Sequence, residues 1–275
     1  MAKKPKISDL LGITDDQMFQ NVMKDPVNCR NLLHEILPKL DIDEIEVHPQ
    51  ERISVDGVEK VSILDIWVKD KKGRLYDIEM QVSDKKGLDS RERYYLYKLM
   101  EDYLLKGEDY PRLPPAYVIF LLPFDPTDQG YKEYDFLYLC QQNPEIKRDD
   151  GSQIIYLNSK AKTGKISPGL EDFLKLMNGE KTSNGQFIAR IKDTMQIYRK
   201  TKEWRRHAMN TEELIEMTKA EVKQEAKQEE IKRMKKTLSR YRFLQVPEAT
   251  IKQYLEEDYG DSFSKEEIEK IMKEV

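Results

Sequence analysis

A chain of 275 residues with 39% apolar content can bury one sizeable core, or a core plus an appendage. A formal net charge of -4, with 36% charged residues, argues against a protein that coats nucleic acid non-specifically and assigns part of the chain to solvated helix. Cys29 and Cys140 stand in unrelated contexts and give neither a disulfide framework nor a zinc site; Met1 to Ile7 lacks an apolar h-region, and the longest apolar run, Ala116 to Leu122, is too short for a bilayer. The expectation is a soluble cytoplasmic protein.

Phe19, Val22 and Met23, then Cys29, Leu32, Leu33, Ile36 and Leu37, recur at helical spacing between residues 15 and 37, with Pro26 opening the second helix and Pro38 ending it. The period then changes. Ile45 and Val47, Val61 to Val68, and Leu75 to Val82 read as three strands, the last two joined by a turn at Asp70-Lys71-Lys72-Gly73-Arg74. Asp89-Ser90-Arg91-Glu92 supplies an N-cap and a capping-box acid for a helix carrying Leu96, Leu99, Met100 and Tyr103, with Gly107 as a stop. Ala116 to Leu122, Tyr134 to Leu139 and Gln153 to Leu157 read as further strands, and the chain turns helical from about Pro168. That order predicts an α/β fold with a mixed sheet flanked by helices. From about Asn210 the composition shifts to a charged helix, Glu212 to Arg240, with a thin stripe of Met217, Ala220, Ile231, Met234 and Leu238. Two short helices follow, one opened by Pro247 and one by a Ser264–Glu267 capping box. The expected division is a domain over 1–208 and a helical appendage over 209–275, serving oligomerisation or accessory DNA binding.

The hairpin carries the chemistry. Strand side chains alternate, so Asp65 shares a face with Ile63 and Trp67, while Leu64, Ile66 and Val68 share the other; on the next strand Asp77, Glu79 and Gln81 share a face, opposite Tyr76, Ile78 and Met80. A three-residue loop, Lys71-Lys72-Gly73, puts Gly73 at the left-handed position, pairs Asp70 with Arg74 and brings Asp65 opposite Glu79, about 5 Å away. Two carboxylates that close repel unless a cation lies between them. Mg²⁺ takes hard oxygen ligands, usually one or two carboxylates, and completes its shell with phosphate and water. The pattern therefore points to a Mg²⁺ or Mn²⁺ site suited to phosphodiester attack.

The wider pattern resembles the PD-(D/E)XK nuclease family transposases, which include the recombination-promoting nucleases of bacteria. The matching residues run in order from about 14 to 209: Asp16-Gln17-Met18-Phe19 with Asp25-Pro26; Leu64-Asp65-Ile66 with Asp77-Ile78-Glu79-Met80-Gln81; Arg93-Tyr94-Tyr95; Leu105 to Tyr110; Tyr117 to Phe120; Asp150-Gly151; Leu157-Asn158; and Glu203-Trp204-Arg205-Arg206. The resemblance implies a restriction-endonuclease-like fold and Mg²⁺-dependent DNA cleavage, with catalytic residues Asp65, Glu79 and Gln81, of which Asp65 and Glu79 bind the metal. Gln81 lies where the wider superfamily has lysine, and its amide can orient a water or a phosphate oxygen but carries no charge. Gln20 and Ile63 depart from basic residues usual in the family. The function expected is a DNA endonuclease tied to recombination or mobile DNA; the alternative is a catalytically weak or inactive DNA-binding or assembly protein on the same fold. A homodimer through the C-terminal helices is the expected assembly.

Among other candidates, Glu35 can face the metal from its helix, against the ordinary reading of an exposed acid. Tyr95 is the tyrosine kept as a base-stacking candidate. Arg91 and Arg93 can touch phosphate, with solvated charge equally open. Lys181 to Arg206 and Lys232 to Arg242 are basic clusters, the second read mainly as charges paired with nearby Glu residues.

Overall fold

The computed structural model describes residues 11–53, 62–83, 87–101, 103, 109–183 and 185–274, with the side chains of 50–53, 62, 63 and 111 left outside. Gly107, expected as a helix stop, and the side chain of Ile63, expected beside Asp65, therefore lie outside the described residues. Contacts divide the chain into two compact units, one up to Arg206 and one from His207.

The first unit opens with α1 (Asp16–Met23) and α2 (Pro26–Ile36). Each has an aspartate cap: Asp15 accepts from the Met18 N–H, and Asp25 from Val27 and Asn28. The chain continues through β1 (Ile45–Ile53), β2 (Ser62–Asp70), β3 (Leu75–Met80), α3 (Leu88–Glu101), β4 (Ala116–Leu122), β5 (Glu133–Phe136), β6 (Tyr138–Cys140), β7 (Asn143–Arg148), β8 (Ser152–Asn158), α4 (Pro168–Met177) and α5 (Gln186–Arg199). The main sheet runs β1-β2-β3-β4-β8-β5. It is mixed, as expected: β1, β2 and β3 are antiparallel, β3, β4 and β8 parallel, and β5 antiparallel to β8. The single strand expected from Tyr134 to Leu139 is instead two: at Leu137 the chain leaves the sheet, and β6 pairs with β7 in a separate exposed ribbon.

Both sheet faces are covered. Ile66, Val68, Tyr76, Ile78 and Met80 pack with α1, α2, α4 and α5, while Leu75, Val118, Phe120 and Leu122 pack with Leu88, Tyr95, Leu96 and Leu99 of α3. Helix α3 starts at Leu88, a residue before the expected cap at Asp89, behind Gly87 at φ 92°. Tyr95 is buried and stacks on Phe120 at 6.3 Å, which removes it as a base-stacking platform.

The long helix α6 (Lys202–Phe243) runs without a break from Trp204, buried in the first unit's core, into the second unit. There Met234 and Leu238 pack with Ile251 and Leu255 of α7 (Glu248–Tyr259) and with Ile268 and Ile271 of α8 (Lys265–Lys273). The apolar faces of the two short helices thus meet each other and the end of α6, so they are not left bare for a second chain. Of the expected stripe, Met217 and Ala220 stay exposed.

The β2–β3 turn is held by Asp70, which is 4% exposed. Its carboxylate pairs with Arg74 at 2.5 Å and accepts from the Lys72 and Arg74 N–H groups and the Tyr76 hydroxyl, each at 2.9 Å. Gly73 has φ 82°, the left-handed position the loop demands. Removing Asp70 strands Arg74, itself mostly buried, and three donors. Asp70→Ala is expected to lower stability by about 3–5 kcal/mol in urea unfolding, and Gly73→Ala by roughly 1 kcal/mol.

Candidate active site

The β2–β3 ladder runs Lys69↔Leu75, Val68↔Tyr76, Trp67↔Asp77 and Ile66↔Ile78. This is the register that the turn predicts, and it stops one step short of the acids. Beyond Ile66 the side chains take over from the backbone. The Asp65 N–H donates to Glu79 Oε1 at 2.9 Å, and the Met80 N–H donates to Asp65 Oδ2 at 2.9 Å. The Gln81 N–H turns the other way, to the Leu121 carbonyl. The two carboxylates therefore bridge the point where the strands part. The same parting breaks the alternation: Leu64 packs in the α3-side core, whereas Ile66 and Val68 pack in the other, so these three do not share one face.

Glu79 is 2% exposed, Asp77 is fully buried and Asp65 is partly buried. Burial first, then the Asp65 charge, push the Glu79 carboxyl up to about 8, against the Asp65 N–H and Arg91. Burial raises Asp65 to about 6, helped by Asp16 at the start of α1 and opposed by the Met80 N–H and Arg91. Neither oxygen of Asp77 receives a hydrogen bond. Burial first, then the Glu79 charge, raise that carboxyl well above the ordinary carboxylate range.

Gln81 is engaged within the protein. Its Nε2 donates to the Ser83 carbonyl, and its Oε1 accepts from Arg91 Nη1. Arg91 Nη2 donates to the Tyr95 hydroxyl at 2.8 Å and lies 3.5 Å from Glu79 Oε2. Sequence reasoning leaves Arg91 open between phosphate contact and solvated charge, and it gives no role to Asp16 or Asp77. The Arg91–Tyr95 spacing, one helical turn, is the available signal for Arg91.

Glu35 does not join this group. It lines a separate cavity of about 510 Å³ with Lys39, Glu133 and Lys165, and its carboxylate lies where a Cβ on Gly169 would stand. Several basic residues of the two clusters are engaged within the protein. Arg190 pairs with Asp25, Arg199 donates to the Leu11 carbonyl, Lys235 pairs with Glu274, and Arg242 pairs with Glu248.

Among the described residues no three His, Cys, Asp or Glu side chains gather around a common point for a metal. What Asp65 and Glu79 offer is two hard oxygen donors, Glu79 buried and Asp65 partly so, mutually repelling and short of compensation. That donor set fits a divalent cation of the Mg²⁺ kind, which draws its remaining ligands from phosphate and water.

The mixed α/β sheet flanked by helices agrees with the family comparison. The model of the PD-(D/E)XK nuclease family transposases matches residues 29–245, and the chain belongs to that family. The matched stretch takes in the hairpin, the whole sheet and the long helix, and leaves out α1, α7 and α8. No curated protein and no solved structure matches the chain significantly. No helix among the described residues is long and apolar enough to cross a membrane.

The raised carboxyls set a pH dependence. In the metal-free protein the folded state holds protons on Asp65 and Glu79 that the unfolded chain releases near pH 4, so unfolding free energy falls as pH rises from about 4 to 8. Thermal melts of metal-free protein across that window should show the decline, and Glu79→Gln should flatten its upper part. A melting temperature that rises from pH 5 to pH 8 would contradict the burial of these acids.

Proposed function

We propose that this protein is a Mg²⁺-dependent DNA endonuclease, with Mn²⁺ an acceptable substitute, that hydrolyses phosphodiester bonds in recombination or in the movement of mobile DNA in the cytoplasm. The observation that carries the reading is the pair Asp65–Glu79, set across the parting strands, partly or wholly buried, and short of positive charge. In this reading both carboxylates hold the ion, which when bound supplies a polarised phosphoryl oxygen and an acidified water. Gln81, fixed at both ends of its amide, orders the strand end beside the substrate. Water adds to phosphorus, the bond to one sugar oxygen breaks, one proton of the water passes to solvent and the departing oxygen takes one up. Membership of a nuclease-transposase family supports DNA as the substrate.

A second reading, a weak or inert DNA-binding or assembly protein, draws on Gln20 and Ile63, which stand where the family usually has basic residues. Nicking of supercoiled plasmid separates the two. The wild-type chain should nick in Mg²⁺ or Mn²⁺ and not in EDTA, and Asp65→Ala should lower the rate by roughly 10³-fold or more. DNA binding without any nicking would favour the inert reading.

For the division of labour, we propose that residues 1–208 carry the nuclease and that 209–275 mediates a homodimer. Met209, Leu214, Met217 and Val222, all exposed along α6, supply the apolar contact. Light scattering at tens of micromolar should give a dimer, and Leu214→Glu with Met217→Glu should give a folded monomer. A monomeric wild-type chain would dismiss the dimer without touching the nuclease assignment.

A further inference from the structure

The acids of the hairpin are short of compensation, and the element that answers them comes from outside the hairpin. Among the described residues, no cation other than Arg91 pairs with Asp65, Asp77 or Glu79, and its charge acts on all three. Arg91 lies in the first turn of α3, on the sheet face toward which Glu79 points. Its guanidinium is held from three sides: Gln81 Oε1 accepts from Nη1, the Tyr95 hydroxyl accepts from Nη2 at 2.8 Å, and Glu79 Oε2 lies 3.5 Å from Nη2. The guanidinium carbon also stands 5.3 Å from the centre of the Tyr95 ring. Both supports are themselves fixed. The Gln81 amide is locked by its bond to Ser83, and the Tyr95 ring is stacked on Phe120 in the core. Yet the Arg91 side chain remains 34% exposed, so it is not sealed in the core.

We propose that Arg91 is a catalytic residue of the phosphodiester hydrolysis, donating to a non-bridging phosphate oxygen at the Asp65–Glu79 site and supplying the positive charge that Gln81 cannot. This rests on the nuclease reading above. The transition state of phosphoryl transfer spreads negative charge over the equatorial oxygens, and a preorganised donor that is already paired with the protein stabilises it without reorganising. A guanidinium suits this role because it presents five donors in a fixed fork, of which the protein contacts use only part, and it does not lose its proton. Gln81 and Tyr95 are then positioning residues. They hold the fork where the phosphate arrives, while Glu79 sets its distance from the ion-binding acids. The arrangement divides between a strand and a helix what one cationic side chain on the strand could do alone.

That division gives the test. Because Gln81 Oε1 touches the guanidinium, a lysine at 81 reaches the same place from the strand. Single-turnover cleavage of plasmid by the full chain at saturating Mg²⁺ is compared for wild type, Arg91→Ala, Arg91→Lys and the double variant Arg91→Ala/Gln81→Lys, with melting temperatures as a folding control and DNA affinity measured in Ca²⁺. Arg91→Ala should lose on the order of 10²-fold in single-turnover rate with a much smaller change in affinity, and Gln81→Lys in that background should recover roughly tenfold. Arg91→Lys should fall between, because an ammonium replaces the charge but not the fork. Wild-type rates in folded Arg91→Ala would overturn the assignment and leave the nuclease reading intact. A loss that Gln81→Lys does not recover at all would also overturn it, since Arg91 would then serve only to hold α3 on the sheet. No cleavage by the wild-type chain would overturn both.

Discussion

Charge burial governs this fold. An ionised carboxylate taken out of water costs far more than any one packing contact returns, unless it is paired or gives up its charge. Here Glu79 and Asp77 lie inside the sheet with Asp65 beside them, and one guanidinium answers all three. A sequence selected only for stability would put apolar residues at 77 and 79, as it does at 76, 78 and 80. The protein instead bears the cost at one place, and the surroundings are arranged to contain it. The strands part so that the Asp65 and Glu79 carboxylates can accept backbone N–H groups.

Containment requires rigidity on both sides of the site. On the hairpin side Asp70 ties the turn to Arg74, Tyr76 and two backbone amides, so the register that brings Asp65 to Glu79 cannot slip. On the helix side Leu88, Leu96 and Leu99 pack α3 against Phe120 and Leu122, which fixes the height of Arg91 over the sheet. The parallel run β3-β4-β8 joins the two, because Glu79, Phe120 and Tyr156 stand in one row across it. The short strand ends of that row are where an open α/β sheet leaves room for a ligand.

The C-terminal unit follows a different logic. A 42-residue helix with so little amphipathic character is marginal by itself. It gains support at both ends, from Trp204 in one core and from Met234 and Leu238 in the other, while its middle carries Leu214, Met217 and Val222 in the open. The family match extends through this helix to residue 245, and the small bundle of α7 and α8 lies beyond it.

The local features are legible in the sequence because short-range chemistry decides them. Pro26 starts α2, Pro168 starts α4, the Ser264–Glu267 box starts α8, and Gly73 fixes the turn from which the Asp65–Glu79 register can be counted. The mixed sheet is legible from the change of period, and the family from motifs in order. What the tertiary structure alone decides involves residues distant in sequence. Strict alternation puts Leu64 with Ile66, but the parting of β2 from β3 moves it to the other core. Tyr95 reads as an aromatic free to stack on bases, and only the fold sets Phe120 beneath it. Arg91 reads as a charge at a helix start because nothing local says that α3 crosses the face where Glu79 lies. Spacing along the chain sets which side chains share a face; only the packing of one element on another sets which faces meet, and it is there that a buried acid finds its cation.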